Sequence, residues 1–325
     1  MKKLRIGIIG CASIAKRSVI PALQTLGGLY EVVAIASRVS EKAKEMAHLF
    51  DIEPITGYEN LVDRTDIDVI YMPLPTGLHE EWIIKLLNAG KHILVEKSFA
   101  LSYASAYKLI EIARSKQLLL MENFMFKYHS QHEWVWQQLK NKELGEIRLF
   151  RSQFGFPPLD KNNFRYDMNV GGGSLLDAGA YTVKASQWFL GNSLTVDSAT
   201  LYMDTSRNSD IYGNASLSNE AGQVSQVSFG FDNFYQCNYE FWGSTGKLVA
   251  ERAFTPKPDE RPVVLIEKHG SSKKNEMQHD NHFQKILIEF HARVTDKDHE
   301  KHLEEILSQS KILTAISQKA LRINL

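Results

Sequence analysis

Cysteine is scarce in this chain of 325 residues, which contains only Cys11 and Cys237. Two cysteines are too few for a disulfide framework or for a metal site built from cysteine, so we expect a reducing, cytoplasmic location. No apolar run reaches the roughly 18 residues that a membrane-spanning helix needs. Neither charge sign is in excess, because 38 basic residues balance 38 acidic ones. This balance argues against nucleic-acid and membrane-surface partners, both of which attract a basic excess.

Hydrophobic residues, by contrast, make up 43% of the chain, and the length predicts about two domains. Leu4–Ile9 predicts a buried strand, residues 15–26 predict a helix, and Tyr30–Ser37 predicts a second apolar strand. This order of strand, turn, helix and strand has the length of a dinucleotide-binding unit.

The turn after the first strand reads G-x-A-x-x-A, whereas a dinucleotide-binding turn usually reads G-x-G-x-x-G. Glycine at the first position still permits the tight bend, and alanine is the smallest substitute where the backbone must approach a pyrophosphate. The predicted cofactor contacts in this turn are Gly10, Ala12, Ser13 and Ile14. On this pattern alone, an ordinary turn between a strand and a helix remains the alternative.

The end of the second strand predicts which cofactor is preferred. An enzyme that prefers NAD usually has Asp or Glu there, which binds the ribose 2′-hydroxyl. This chain has Ser37 and Arg38, with Lys42 four residues further on. A hydroxyl and a guanidinium bind a 2′-phosphate, which a carboxylate would repel. We therefore predict NADP(H), with NAD(H) less favoured; the alternative is that Arg38 is simply exposed to solvent at a helix start.

Strands and helices continue to alternate to about Met121, which predicts a parallel sheet and a first domain of residues 1–121. Strands are predicted at 68–72, 93–95 and 118–121, and helices at 80–88 and 102–116. Ligands of such sheets bind outside the carboxyl ends of the strands. The predicted cofactor-binding residues there are Pro73, Leu74, Pro75, His79, Glu96 and Lys97. For His79, capping the following helix is an equal alternative.

Residues 122–325 have the pattern of a second α/β domain with a large antiparallel sheet. Strands are predicted at 147–156, 195–204, 213–218, 223–231, 235–242, 247–251 and 263–267. Helices are predicted at 130–139, 281–293 and 303–321, and loops at 256–262 and 270–274.

A glycine-rich segment, residues 171–181, places Asp177 and Tyr181 four residues apart, on one face if the segment is helical. A lysine such as Lys97, a carboxylate and a phenol that converge can pass a proton to or from a substrate oxygen. Together with the nucleotide-binding start, they indicate redox chemistry between a carbonyl and an alcohol. The alternatives are a solvated loop lysine and a tyrosine that belongs to the core.

Three further polar residues are weaker candidates. Arg165, shortly before the glycines, is predicted to hold the cofactor or a substrate phosphate, with a surface salt bridge as an equal alternative. His129 and His132 have the spacing of metal ligands, but no third ligand is evident and we expect no metal site.

In combination these motifs resemble the glucose-fructose oxidoreductase, inositol dehydrogenase and MocA family over essentially the full chain. The motifs are the Gly10 turn, the loop 73–79, Glu96-Lys97 and the glycine-rich segment with Asp177 and Tyr181. Within the family, the chain is similar to nucleotide-sugar 3-ketoreductases of deoxysugar pathways. That narrower resemblance comes from residues 10–15, 121–126, 129–132 and 164–166. Dihydrodiol dehydrogenases share several of these features.

The resemblance implies a fold and a set of roles. The implied fold is an N-terminal Rossmann domain followed by an α/β domain with a large, mostly antiparallel sheet, often assembled through that sheet into homodimers or homotetramers. Lys97 and Tyr181 are implied to be catalytic, with Asp177 nearby; many members have His where Tyr181 stands. The family usually has Pro after Glu-Lys, often with a cis peptide bond. Because a cis bond without Pro costs about 2.5–4 kcal/mol, Ser98 predicts a differently shaped Lys97 loop.

The function indicated is an NADP(H)-dependent oxidoreductase that transfers hydride between nicotinamide and a sugar carbonyl or alcohol, with a nucleotide-linked 3-keto-deoxyhexose as the expected substrate. One alternative is a dehydrogenase of free sugars, inositols or aromatic dihydrodiols. Another, of a different class, is a non-catalytic NADP-binding regulator, because the fold alone does not imply catalysis.

Overall fold

A computed structural model describes residues 3–325 of the chain. The contacts within the chain divide it into two compact units. The first comprises Met1–Asn123 and Phe283–Leu307, and the second comprises Phe124–His282 and Ser308–Leu325. The predicted first domain ends at Met121 and does not include Phe283–Leu307. The sequence gives no sign that this distant segment packs with the first unit.

Within the described residues, the first unit is built on a sheet of six parallel strands in the order β3-β2-β1-β4-β5-β6. The strands are β1 (Leu4–Ile9), β2 (Tyr30–Ser37), β3 (Glu53–Thr56), β4 (Val69–Met72), β5 (His92–Val95) and β6 (Leu120–Glu122). The helices between them are α1 (Ile20–Thr25), α2 (Ser40–Phe50), α3 (Tyr58–Val62), α4 (His79–Asn88) and α5 (Tyr103–Lys116). This order confirms the predicted Rossmann topology, in which the direction of strand addition reverses between β1 and β4.

The central strands β1 and β4 were predictable because they are apolar on both faces. Ile6, Ile8, Val69 and Ile70 are buried completely, as expected where helices cover both sides of a parallel sheet. Two details differ from the prediction. The helix after β1 starts with a π-helical turn, Ala15–Val19, and α2, β3 and α3 form where no element was predicted.

The segment Phe283–Leu307 also packs in this unit. The Tyr30 hydroxyl donates to the Leu287 carbonyl at 2.7 Å, and the Tyr30 ring meets His291 edge-on. Leu303 and Ile306 join the apolar core that surrounds β4 and β5. The first unit therefore takes core residues from two distant parts of the chain.

Among the described residues, the second unit has a sheet of nine strands in the order β14-β13-β12-β11-β7-β10-β9-β8-β15. The strands are β7 (Ile147–Gly155), β8 (Thr195–Asp204), β9 (Ser209–Ser218), β10 (Val224–Gly230), β11 (Gln236–Gly243), β12 (Gly246–Ala250), β13 (Val263–Lys268), β14 (Ser271–Glu276) and β15 (Leu321–Asn324). The helices that follow α5 are α6 (Ser130–Lys140), α7 (Ala180–Leu190), α8 (His282–Asp296) and α9 (Glu300–Lys319). In the part of this sheet that the structure describes, only the pairs β7–β10 and β8–β15 are parallel, which confirms the predicted, mostly antiparallel sheet.

One face of this sheet is apolar and packs against α7. Along β11, Cys237, Tyr239 and Phe241 are buried, whereas Trp242 on the opposite face is 53% exposed. Nearly every side chain of α7 is buried, and Ser186 on this helix bonds Ser225 of β10 at 2.8 Å between hydroxyl oxygens. Packing against the sheet therefore fixes the position of α7, the helix that follows the glycine-rich segment.

Two predictions about the edges of the sheet were wrong. Residues 270–274, predicted as a loop, lie largely in β14, and the last helix ends at Lys319 before β15 rather than continuing to residue 321. Both strands lie at a sheet edge and are mostly exposed. A polar edge strand is defined by its hydrogen bonds to a neighbour, so it lacks the alternation of apolar residues that marks a half-buried strand.

Over residues 3–325, we find no helix with the length and apolar composition required to cross a membrane.

Candidate active site

The Gly10 turn lies at the switch point of the first unit, beside the loop that follows β4. Gly10 has φ +119°, and a Cβ added there would lie 2.8 Å from Leu74 Cδ2. Ala12 lies in the turn, and Ser13 and Ile14 begin the helical segment. The backbone here has a conformation and a closeness that only glycine permits. The turn therefore fits the approach of a pyrophosphate to a helix N-terminus.

The end of β2 brings together the groups expected at a ribose phosphate. Ser37 is buried and its Oγ accepts from the Val39 amide at 3.1 Å, whereas Arg38 and Lys42 are exposed. Cys11 Sγ contacts the Lys42 carbonyl oxygen at 3.5 Å. Burial raises the pKa of the Tyr58 phenol, and the adjacent Arg38 guanidinium opposes that rise. Two exposed cations near a hydroxyl are complementary to a dianionic phosphate.

The loop after β4 holds His79 as a structural residue. Its ring nitrogens lie 2.8 Å from the Leu74 carbonyl oxygen and 2.9 Å from the Phe99 carbonyl oxygen, and the side chain is buried completely. Burial lowers its pKa. The N-cap residue of α4 is Leu78, without a side-chain bond, so His79 does not cap this helix. The carbonyl oxygens of Leu74 and Phe99 engage both ring nitrogens of His79. Pro73 and Pro75 lie in the same loop.

The segment after β5 is held by buried polar groups. Glu96 Oε1 accepts from the Tyr71 hydroxyl at 2.6 Å and from Asn123 Nδ2 at 2.5 Å, and burial raises the Glu96 pKa. The peptide bond between Lys97 and Ser98 is cis, although Ser98 is not a proline. Glu96 is therefore a support for the Lys97 backbone, with its carboxylate engaged inside the first unit.

In the second unit, Tyr181 lies on the first turn of α7 among aromatic rings. The ring centroids of Phe154, Phe124, Phe254 and Phe126 are 5.1–5.9 Å from its own. Its hydroxyl lies 3.9 Å from Met125 Sδ, and the side chain is 6% exposed. The ring of Tyr181 is therefore packed among aromatic side chains.

Asp177 lies in a π-helical turn, Leu175–Gly179, directly before α7. Arg165 Nε donates to Asp177 Oδ2 at 2.8 Å, and both side chains are partly buried. Of the two readings for Arg165, this geometry favours the salt bridge. A Cβ at Gly172 would lie 2.6 Å from the Arg165 carbonyl oxygen, which explains a glycine at this position.

Two buried charged residues near Tyr181 escaped the sequence analysis. Lys184, 4% exposed, is the one charged residue in the sequence of α7, and its Nζ lies 5.5 Å from the centre of the Phe124 ring. Asp210 on β9 bonds the start of the Asp177 segment. A single lysine in an otherwise uncharged helix could have identified Lys184 from the sequence. Nothing in the sequence identified Asp210, because the residues that it bonds are distant along the chain.

The histidine pair has structural contacts. His132 Nδ1 lies 2.8 Å from the Tyr239 hydroxyl and Nε2 lies 2.9 Å from the Ala253 carbonyl oxygen. Burial and the neighbouring His129 lower the pKa of His132 to about 3. Among residues 3–325, no three His, Cys, Asp or Glu side chains gather in a way that could hold a metal ion.

Comparison with known proteins supplies the relatives of this chain. A family model for an oxidoreductase family with an NAD-binding Rossmann fold matches residues 4–124, and the GFO/IDH/MocA C-terminal domain matches residues 132–249. A dTDP-3,4-didehydro-2,6-dideoxy-alpha-D-glucose 3-reductase from Actinomadura kijaniata is 41% identical over 314 residues, which are 96% of this chain and 94% of the relative. Its namesake from Saccharopolyspora spinosa is 42% identical over 83% of this chain and 81% of its own.

A solved structure has the same architecture throughout. KijD10, a 3-ketoreductase from Actinomadura kijaniata in complex with NADP and TDP-benzene, matches with a TM-score of 0.97 and 40% identity over 100% of both chains. That protein has also been solved with a tyrosine replaced by phenylalanine and with a lysine replaced by alanine.

Proposed function

The chain belongs to the GFO/IDH/MocA oxidoreductase family, as its motifs predicted, and we propose that it is an NADP(H)-dependent 3-ketoreductase of a dTDP-linked deoxysugar. The observation that carries the proposal is the identity of 41% over 94% of a relative with that activity. The chain also has the lysine, carboxylate and phenol that such a reduction requires. We expect it to act in the cytoplasm.

The first unit supplies the cofactor-binding residues of the proposal. Gly10, Ala12, Ser13 and Ile14 surround the pyrophosphate, and Ser37, Arg38 and Lys42 bind the 2′-phosphate. Bound NADPH supplies the hydride. The exposed Arg38 and Lys42 fit the phosphate of NADPH, and Gly10, where a Cβ would have no room, fits its pyrophosphate.

The residues of the chain supply the proton and the charge stabilisation. As the ketone is reduced, negative charge grows on its oxygen and must be met by a proton. Tyr181 is the proposed donor, because a free phenol, which titrates near 10, is protonated at neutral pH. The Lys97 ammonium stabilises the growing charge on the oxygen. Asp177, fixed by Arg165, orients a sugar hydroxyl next to the ketone.

We further propose that the protein is a homodimer or homotetramer that forms through the outer face of the nine-stranded sheet. Trp242 is 53% exposed on this face, and the Arg151 guanidinium lies 5.9 Å from the centre of its ring. Glu240 lies 3.5 Å from Arg151 and Lys247 pairs with Glu267, so both charge signs surround an exposed aromatic ring. Such a mixture is typical of a surface that pairs with a copy of itself.

Oxidation of NADPH, followed by absorbance, tests the proposed reaction. The substrates are a dTDP-linked 3-keto-6-deoxyhexose made in situ, free sugars, an inosose and aromatic diketones. We expect turnover with the nucleotide-linked ketone alone. Turnover with a free ketone instead would show that the substrate is not nucleotide-linked. Tight NADPH binding without any turnover would favour a regulator and overturn the proposal.

Substitution of Tyr181 by Phe tests the proton donor. Tyr181→Phe should lower turnover by about 10²–10⁴-fold, the range for loss of a general acid, and leave NADPH binding unchanged. Tyr202→Phe is the matched control, because it removes a phenol from β8, where the ring stacks on Tyr212. An unchanged turnover in Tyr181→Phe would remove this residue from the mechanism.

A further inference from the structure

Asp210 is a buried carboxylate that bonds the start of the helical segment with Asp177 and Tyr181. It lies on β9 and is 6% exposed. Its Oδ2 accepts from Ser174 Oγ at 2.8 Å and from the Leu175 amide at 2.7 Å. Leu175 is the first residue of the π-helical turn that continues as α7, so Asp210 satisfies amide and hydroxyl donors at the helix start.

The neighbouring glycine is adapted to the same contact. Gly173 has φ +103°, and a Cβ added there would overlap Asp210 Oδ1. The Gly173 amide donates to the Arg165 carbonyl oxygen at 2.8 Å. Residues 173–175 are therefore held from one side by the sheet, through Asp210, and from the other side by the Arg165 loop.

These two contacts continue to the proposed catalytic groups. Arg165, whose carbonyl holds Gly173, also donates from Nε to the Asp177 carboxylate. Tyr181 follows Leu175 by less than two helical turns, so a shift at Leu175 is transmitted to its hydroxyl. Burial raises the pKa of Asp210, and the bonds from Leu175 and Ser174 oppose that rise. A carboxylate taken out of water is costly unless it is bonded, and serine or asparagine would cap a helix without that cost.

We propose that Asp210 is a positioning residue of the reductase, which anchors residues 173–175 to the sheet and thereby sets where Asp177 and Tyr181 meet the substrate. The inference rests on the proposed function, because it acts through Tyr181. It requires no contact between Asp210 and the substrate.

Kinetics of Asp210 variants test the inference. Asp210→Ala should lower kcat by up to about 10²-fold, since a displacement near 1 Å can cost that much. The Kd for NADPH should not change, because its proposed site lies in the first unit. Asp210→Asn keeps an acceptor oxygen and should recover most of the lost turnover. Asp197→Asn is the control, since Asp197 accepts from Ser218 at 2.8 Å between β8 and β9.

A double variant separates positioning from general destabilisation. In a Tyr181→Phe background, Asp210→Ala should lower kcat by a smaller factor than in the wild type, because the part of its effect that acts through the hydroxyl is already lost. Additive losses, or an unchanged kcat in folded Asp210→Ala, would overturn the inference. If Asp210→Ala does not fold, Ser174→Ala replaces it, and an unchanged kcat there counts against the inference equally. A normal kcat in Tyr181→Phe alone would instead refute the proposed function of Tyr181.

Discussion

The buried His132 predicts how the second unit responds to acid. Its pKa in the folded protein is about 3, below the value near 6.5 of a histidine in an unfolded chain. As the pH falls, the unfolded chain takes up this proton first, so the stability contribution is complete above pH 6.5 and declines towards pH 3. Between pH 7 and pH 5 the loss is about 2 kcal/mol, from 1.36 kcal/mol per pH unit below the unfolded pKa.

The assay is urea unfolding at pH 7 and pH 5 followed by tryptophan fluorescence. Four of the five tryptophans lie in the second unit, and Trp134 and Trp136 share α6 with His132. His132→Gln keeps a polar group beside Tyr239 and cannot titrate. The wild-type free energy of unfolding should fall by about 2 kcal/mol more than that of the variant.

A matched control separates the effect of the buried His132 ring from the effect of removing any histidine. His269→Gln removes an exposed imidazole between β13 and β14 and should leave the pH response as in the wild type. If the wild type and His132→Gln lose equal stability between pH 7 and pH 5, the argument from burial is refuted.

The remaining predictions concern the cofactor and the assembly. Arg38→Ala should raise the KM for NADPH far more than that for NADH, because only NADPH has the 2′-phosphate; equal changes would contradict the assignment. Trp242→Glu places a charge on the outer face of the sheet and should convert the oligomer to monomers, measured by size-exclusion chromatography with light scattering. A wild-type protein that is already monomeric would contradict the proposed interface.

Much of the first unit was predictable because its information is local. β1 and β2 occur at the predicted residues, since each is a short apolar run bounded by turn residues. The candidate cofactor residues were chosen from the ends of strands, which the topology of a parallel sheet brings together. Lys97 lies shortly after β5, where the strand predicted at residues 93–95 placed it.

The edge strands of the second unit and the buried polar contacts of the protein were harder to predict from the sequence. β14 and β15 form through pairing with a neighbour, and their exposed side chains have no apolar alternation. In the first unit, the sequence likewise contained no sign that the carbonyl oxygens of Leu74 and Phe99 contact both ring nitrogens of His79, because Phe99 lies 20 residues away.

By itself, the sequence determined the order of most strands and helices, the nucleotide-binding turn, the family and the identity of the candidate lysine, carboxylate and phenol. These depend on periodicity and on residues next to one another in the chain. Only the tertiary structure decided what holds them in place: Arg165 on Asp177, and Asp210 on Leu175, 35 residues away. The physical reason is that a hydrogen bond depends on distance in space, and folding sets that distance independently of separation along the chain.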